Sequence, residues 1–263
     1  MLKSLFGSYP QHNVMLKNFV HALTPGAPNF GITLTTLLIT FILGFLVYIY
    51  SFILVDREHS GPYPLWMHTF YFAADFMGIW VFFDAYFNYK HFWFFLLGAI
   101  GEIVWVGFEI YCLWRAVTYE RAEIWDKNTT LGQAIKKCIS EVIIFFVSLN
   151  LLRVELHDVS MFKFWIFTQV IICIVPGLFW EQRKTRIGAS WQLNIVLVLV
   201  ALMSFNPWNM WALISPQFFS VTANPWYYVV GLVTLFFAIR GCIVYKDLPP
   251  KPKKLPNGKK PIF

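Results

Sequence analysis

The stretch FWFFLLGAIGEIVWVGFEIYCLW, Phe92 to Trp114, decides the fold. It has the length and apolarity of a helix that crosses a bilayer core, which takes about 20 residues. It nevertheless carries Glu102 and Glu109. A charged carboxylate near mid-bilayer costs on the order of 3 kcal/mol or more, so an acid retained there points to function. Seven residues apart, the two glutamates project from nearly the same helix face, with Trp105 on or beside that flank.

Outward from this segment the same pattern repeats. Apolar spans lie near 32–54, 64–86, 92–114, 134–154, 161–180, 188–211 and 225–245. The fourth is the weakest, with Lys136 and Lys137 at its start and Glu141 a turn later. Charged residues make up 13% of the chain against about a quarter in an average soluble domain, which places it in a membrane. Aromatic residues reach 20%, more than belts at two interfaces require, so rings are also expected to line the interior. The expected fold is all-α: an integral membrane bundle of seven helices forming one domain, 32–245. A segment 1–31 precedes it and a basic, proline-rich tail, 246–263, follows.

Basic residues distribute unevenly about these spans. One side receives Arg57, Arg115, Arg121, Lys127, Lys136, Lys137, Arg183, Lys184, Arg186 and the six tail lysines; the other receives Lys3, Lys17, Lys90, Arg153 and Lys163. The positive-inside rule then sets the N-terminus outside and the C-terminus in the cytoplasm, in the endoplasmic reticulum if the cell is eukaryotic. The net charge of +7 is thereby read as a topology signal and not as a nucleic-acid footprint. The tail is expected to be too polar to pack and to lie against anionic lipid. Residues 1–31 contain no cleavable signal pattern, so the first span serves as the targeting signal. The sequon at Asn128 falls on the cytoplasmic side and is expected to stay unmodified. Cys112, Cys138, Cys173 and Cys242 show neither disulfide nor zinc spacing.

The informative residues are polar groups inside spans. Asp75 and Glu102 fall near mid-bilayer, Glu109 farther inward, and Glu141, Asn194 and Arg240 a turn or two from the cytoplasmic boundary. Arg240 is expected to neutralise Glu109 or Glu141, with Asn194 and Gln169 bridging helices. One arginine cannot balance three carboxyls, so at least one is expected to keep its proton and act as a Brønsted acid. His68, at i, i+7 to Asp75, is placed to relay a proton or to hold that carboxylate. No GxSxG, HExxH, Walker or Rossmann pattern occurs, so neither a metal nor a cofactor is called for.

Two patches carry a resemblance. DREHSGPYPLWMHTFYFAADFMGIWVFF, from Asp56, sets a glycine before an apolar helix with one mid-span acid, and RKTRIGASWQLN, from Arg183, has a basic turn, Gly-Ala-Ser and an aromatic. The chain resembles the seven-span fungal integral membrane terpene cyclases of meroterpenoid and indole-diterpene pathways. In that family a Trp-Glu pair in the second helix and an Asp in the seventh are taken to protonate a prenyl epoxide or olefin. Asp75 stands about where the glutamate would be, preceded by Ala74; Ala238, Ile239 and Arg240 occupy the region of the helix-seven aspartate, so the acid must be rebuilt from Asp75 with Glu102 or Glu109. The resemblance implies a lyase or isomerase of terpenoid secondary metabolism. It takes an apolar prenylated molecule from the surrounding lipid and starts cyclisation by protonation, with Trp80, Trp105 and Trp191 among the cavity aromatics. Such chemistry needs a desolvated acid and π faces to stabilise the migrating cation. A proton-coupled transporter would use the same carboxyls but needs a path to both faces, and a receptor or scaffold would use them only to hold helices together.

Overall fold

A computed structural model describes residues 13–158, 160–255 and 257–262. Among these the chain is all-helical, with no strand. Its helices are α1 (Asn13–Ala22), α2 (Phe30–Glu58), α3 (Leu65–Asn88), α4 (Trp93–Arg115), α5 (Arg121–Ile124), α6 (Leu131–Glu155), α7 (Phe164–Arg183), α8 (Trp191–Phe205), α9 (Met210–Ile214), α10 (Pro216–Phe219) and α11 (Pro225–Asp247). A π-helical turn, Ala116–Glu120, joins α4 to α5. Among the described residues, six stretches are long and apolar enough to cross a membrane: Phe30–Glu58, Leu65–Asn88, Trp93–Ile124, Phe164–Arg183, Trp191–Ile214 and Pro225–Asp247. Length and composition thus make this a multi-pass membrane protein. The remaining long helix, α6, falls in the fourth and weakest span of the sequence.

Helix boundaries follow local chemistry. Thr130 and Gln133 form a reciprocal capping box at the start of α6, satisfying two otherwise orphaned N–H groups. Ser190 accepts from the Leu193 N–H to cap α8, and Asn224 caps α11 with Pro225 in its first turn. The α8 helix stops at Asn206 because Pro207 cannot continue it, which splits the expected 188–211 span into α8 and α9.

The α3 helix occupies the centre, packed between α4 and α6; α2 lies against α8, and α11 covers α7 and α8. One end of the bundle is capped by α1. Phe19 stacks on Phe94 with ring centroids 4.9 Å apart and meets Phe162 edge-on, so α1 is part of the core. There the Trp211 indole donates to the Phe162 carbonyl at 2.8 Å. At the opposite end, the Trp180 indole donates to the Pro62 carbonyl at 2.9 Å.

That second end corrects the expectation for the tail. Residues beyond Asp247 fold back onto the bundle: Leu255 is buried, and Lys251 is sunk completely, its ammonium 2.7 Å from Glu58 Oε1. Glu58 also accepts from the Gly188 and Ile262 backbone N–H groups at 2.7 and 2.9 Å. Burial pulls the Lys251 ammonium below the usual lysine range, opposed by the hydrogen bond and charge of Glu58. A polar segment packs here because its one inward cation has a complete set of partners, which composition alone does not reveal. Lys3, counted with the outer basic residues, lies outside the described residues.

Candidate functional site

A cavity of about 90 Å³ lies inside the bundle between α2, α3, α4, α7, α8 and α9. Asp75 lies midway along α3 and reaches it, as does Glu109 from α4. Trp165 and Trp211 wall the side toward the α1 end, Trp105 and Phe41 the flank, and Tyr63 the side toward the tail end, with Tyr71 between. These walls are ordered by ring contacts: Trp105 stacks on Tyr48 at 5.6 Å and on Phe41 at 6.0 Å, nearly parallel to both. Tyr71 is fixed by donating to the Thr168 carbonyl at 2.6 Å.

The Tyr48 hydroxyl donates to Asp75 Oδ2 at 2.7 Å, leaving the other carboxyl oxygen free of that bond. Glu102 comes in from α4 and lies flat against Gly78, one turn along α3 from Asp75. A β-carbon at Gly78 would stand 2.8 Å from Glu102 Cδ, so only glycine admits this approach. The two carboxyls are near enough to interact directly, yet neither oxygen of Glu102 makes a well-formed hydrogen bond although the residue is buried. Glu109 Oε2 instead lies 2.7 Å from His68 Nδ1, a pair buried on both sides. Tyr63, in the turn between α2 and α3, adds a phenol whose oxygen has no partner. Burial, reinforced by the nearby Glu109, holds that phenol well above the usual tyrosine range. It is a neutral donor facing the cavity.

The structure therefore brings together Asp75, Glu102, Glu109 and Trp105 from the sequence reading, and separates the rest. Arg240 does not neutralise Glu109 or Glu141. It forms a pair with Glu181 at 2.7 Å on the outside of the bundle, while Glu141 accepts from the Thr69 hydroxyl at 3.1 Å. The α11 helix turns its small residues Gly231, Thr234, Ala238 and Gly241 inward, which puts Arg240 on the outer face. Asn194 is buried in the contact between α8 and α11, against Gly241, and does not reach the cavity. Trp80 is half exposed on the exterior of α3. Trp191 packs on Tyr245 at the tail end, beneath the Lys246 ammonium. His68 does not hold Asp75, because seven residues of helix separate the two by about 10 Å along its axis; it holds Glu109 across the helix interface.

Sequence reasoning missed Tyr48, Tyr63 and Tyr71, which put three hydroxyls around the acids, and Trp165 and Trp211, which close one end. Tyr48 and Tyr71 carried a signal, as polar atoms within apolar spans. No group of three or more metal-ligating side chains clusters among the described residues. No family model, no curated protein and no solved structure matches the chain.

Proposed function

We propose that this chain is a membrane-embedded terpene cyclase that starts the ring closure of a prenylated substrate by protonating its epoxide or olefin from Asp75. The observation that carries the reading is the Asp75 carboxyl, braced through one oxygen by Tyr48, inside a cavity walled by Trp105, Trp165, Trp211, Tyr71 and Phe41. The oxygen not bonded to Tyr48 presents the acid; the rings supply π faces for the cation that forms, at up to about 2 kcal/mol each when desolvated. Protein dipoles fixed in advance replace water around the developing charge. Glu102, beside Asp75, discourages ionisation of both carboxyls at once, since two adjacent negative charges share a site poorly. Substrate would reach such a site from the lipid, and no nucleic acid or cofactor has a part in the chemistry.

The same reading includes the topology. Seven helices span, with α6 among them, because its outward face is an apolar stripe: Ile139, Ile143, Ile144, Val147 and Leu151 are all more than half exposed. The N-terminus lies outside, and the tail end, which collects most of the basic residues, is cytoplasmic. Proton-coupled transport needs titratable groups leading to both ends, and the cavity lining toward the α1 end, with Trp165, Thr168, Gln169, Met210 and Trp211, offers none. That asymmetry favours the enzyme.

The test offers membranes of the wild type and of Asp75→Asn a farnesylated aromatic substrate, with the chain either epoxidised or unmodified. A cyclic product made by the wild type and lost in the folded Asn variant supports the reading. Product formed equally by both removes Asp75 as the acid, and turnover of neither substrate by folded wild type moves the assignment to proton-coupled transport.

A further inference from the structure

An acid that gives its proton to a substrate must be reloaded, and Asp75 is far from either end of the bundle. From it a line of groups runs toward the tail end. The Tyr48 hydroxyl donates to Asp75 at 2.7 Å. Glu109 borders the same cavity and lies near enough to Tyr48 for phenol and carboxyl to interact. Glu109 Oε2 meets His68 Nδ1 at 2.7 Å. The other ring nitrogen, His68 Nε2, points at Gly61: it stands 3.5 Å from where a β-carbon on that residue would lie, and Glu120 Oε1 stands 3.8 Å from the same point. Glu120 is held at the mouth by the Gly61 N–H at 3.1 Å and by Arg183 at 3.8 Å, and its side chain keeps some exposure. The absent side chain of Gly61 therefore leaves a small gap, bordered by the imidazole, by the Glu120 carboxylate and by the Val55 Cγ2 methyl at 3.6 Å.

We propose that Tyr48, Glu109 and His68 form a proton relay that recharges Asp75 from the tail end, through the gap at Gly61 beside Glu120. The inference rests on the reading of Asp75 as the acid. Each step moves one proton and balances. After Asp75 has protonated the substrate, the Tyr48 O–H bond breaks as its proton passes to the Asp75 carboxylate. The Tyr48 oxygen takes a proton from the Glu109 carboxyl, and Glu109 takes one from His68 Nδ1. The ring gives that proton as an imidazolium, having first bound a proton from solvent at Nε2; the neutral ring that remains, protonated at Nε2, returns to its starting form by tautomeric turnover. Both imidazole nitrogens are needed, which is why a histidine stands here and why its second nitrogen faces the gap and not the hydrocarbon. Tyr48 and His68 act through Asp75, and neither is assigned contact with the reacting carbon.

The relay can be read without any substrate, by infrared spectroscopy of wild-type membranes transferred from water to deuterium oxide. The carboxylic C=O band that disappears in Asp75→Asn belongs to Asp75, and its shift to lower frequency times the arrival of deuterium. His68→Gln, which keeps a hydrogen-bonding group to Glu109 but cannot pass a proton through a ring, is expected to slow that shift at least about tenfold. Gly61→Ala should slow it as well. Its added methyl meets His68 and Glu120 only at ordinary van der Waals distance, so the fold is retained while the gap is filled. Arg240→Ala, on the outer face, should exchange at the wild-type rate. Wild-type exchange in both His68→Gln and Gly61→Ala overturns the relay, and so does the absence of any C=O band assignable to Asp75. Because exchange needs no turnover, failure to cyclise with these exchange rates altered as expected would refute the cyclase and leave the proton path standing.

Discussion

Glu58 and Glu102 are both carboxyls removed from water, and the protein treats them in opposite ways. Glu58 is closed in by the Lys251 ammonium and two backbone N–H groups at 2.7 to 2.9 Å, so every direction in which its charge needs support is filled. Glu102, equally buried, has no well-formed hydrogen bond, and its nearest polar neighbour is another acid, Asp75. A buried ionised group left unpaired is expensive enough that it gives up its charge. The first environment fits an ion and ties the tail to the bundle; the second fits protonated acids. Satisfaction of lone pairs, more than depth, separates the structural carboxyl from those proposed to be reactive.

The largest effect expected from breaking that contrast is on activity. Asp75→Asn keeps the shape and the Tyr48 contact but removes the proposed proton donor, and turnover of the proposed prenylated substrate should fall by about 10³-fold, with the melting midpoint in detergent little changed. A fall in activity that tracks loss of folded protein would return Asp75 to a packing role.

The contrast is sharpest when one substitution is made in both places. Glu58→Gln leaves Lys251 buried without a counter-charge and should cost about 3–5 kcal/mol, releasing the tail to proteases. On the proposed reading, Glu102→Gln exchanges one neutral, poorly bonded group for another of the same shape and should cost less than about 1 kcal/mol. Unfolding in denaturant measures both. Equal costs would mean that Glu102 is ionised and paired, which the proposed chemistry does not allow.

How much of this was legible in the sequence follows from the same physics. Length and apolarity located the membrane helices, because a bilayer imposes them on each segment by itself. The three interior acids were legible for a similar reason, since any carboxyl in an apolar span stands out. What could not be read was rotation. A helix apolar on every side has no stripe to orient it, so α11 could be imagined with Arg240 inward, and α3 with Trp80 in the cavity. The His68 to Glu109 pair and the Lys251 to Glu58 pair join residues far apart in sequence, and only packing decides them. The tail was misread because composition averages over a segment in which a few residues make the docking contacts: Lys251 on Glu58, Lys259 on Asp56 and Asn257 on the Arg57 carbonyl.

Asp158 is the intermediate case. Buried between α6 and α7, it accepts the Phe164 N–H at 2.7 Å, and burial, only partly offset by that bond, pushes its carboxyl up to about 6 from 3.8. A raised acid is protonated in the folded chain where the unfolded chain has released its proton. Its contribution to stability is therefore full below about pH 4 and is lost as the pH rises through about 6, by roughly 3 kcal/mol at most. Thermal midpoints of wild type and Asp158→Asn, compared at intervals from about pH 4 to 7, should separate, with the wild type losing ground. Parallel curves would show that backbone donors hold Asp158 ionised, as Glu58 is held.

The smallest effect is expected at Arg240. It faces the exterior with Glu181 as its partner, each with part of its side chain exposed, and both stand within two turns of their helix ends toward the basic tail. Their stems can carry the charges to the polar boundary. An ion pair in that position contributes less than about 1 kcal/mol, so Arg240→Ala should leave the melting midpoint nearly where it was and cyclisation unaltered. The sequence suggested the opposite, an arginine neutralising an interior acid, which makes this weak prediction discriminating. A loss of turnover in Arg240→Ala comparable to that in Asp75→Asn would mean that the guanidinium reaches the cavity. The interior carboxyls would then be balanced by a cation, as Glu58 is, and the contrast between a satisfied and an unsatisfied acid would collapse.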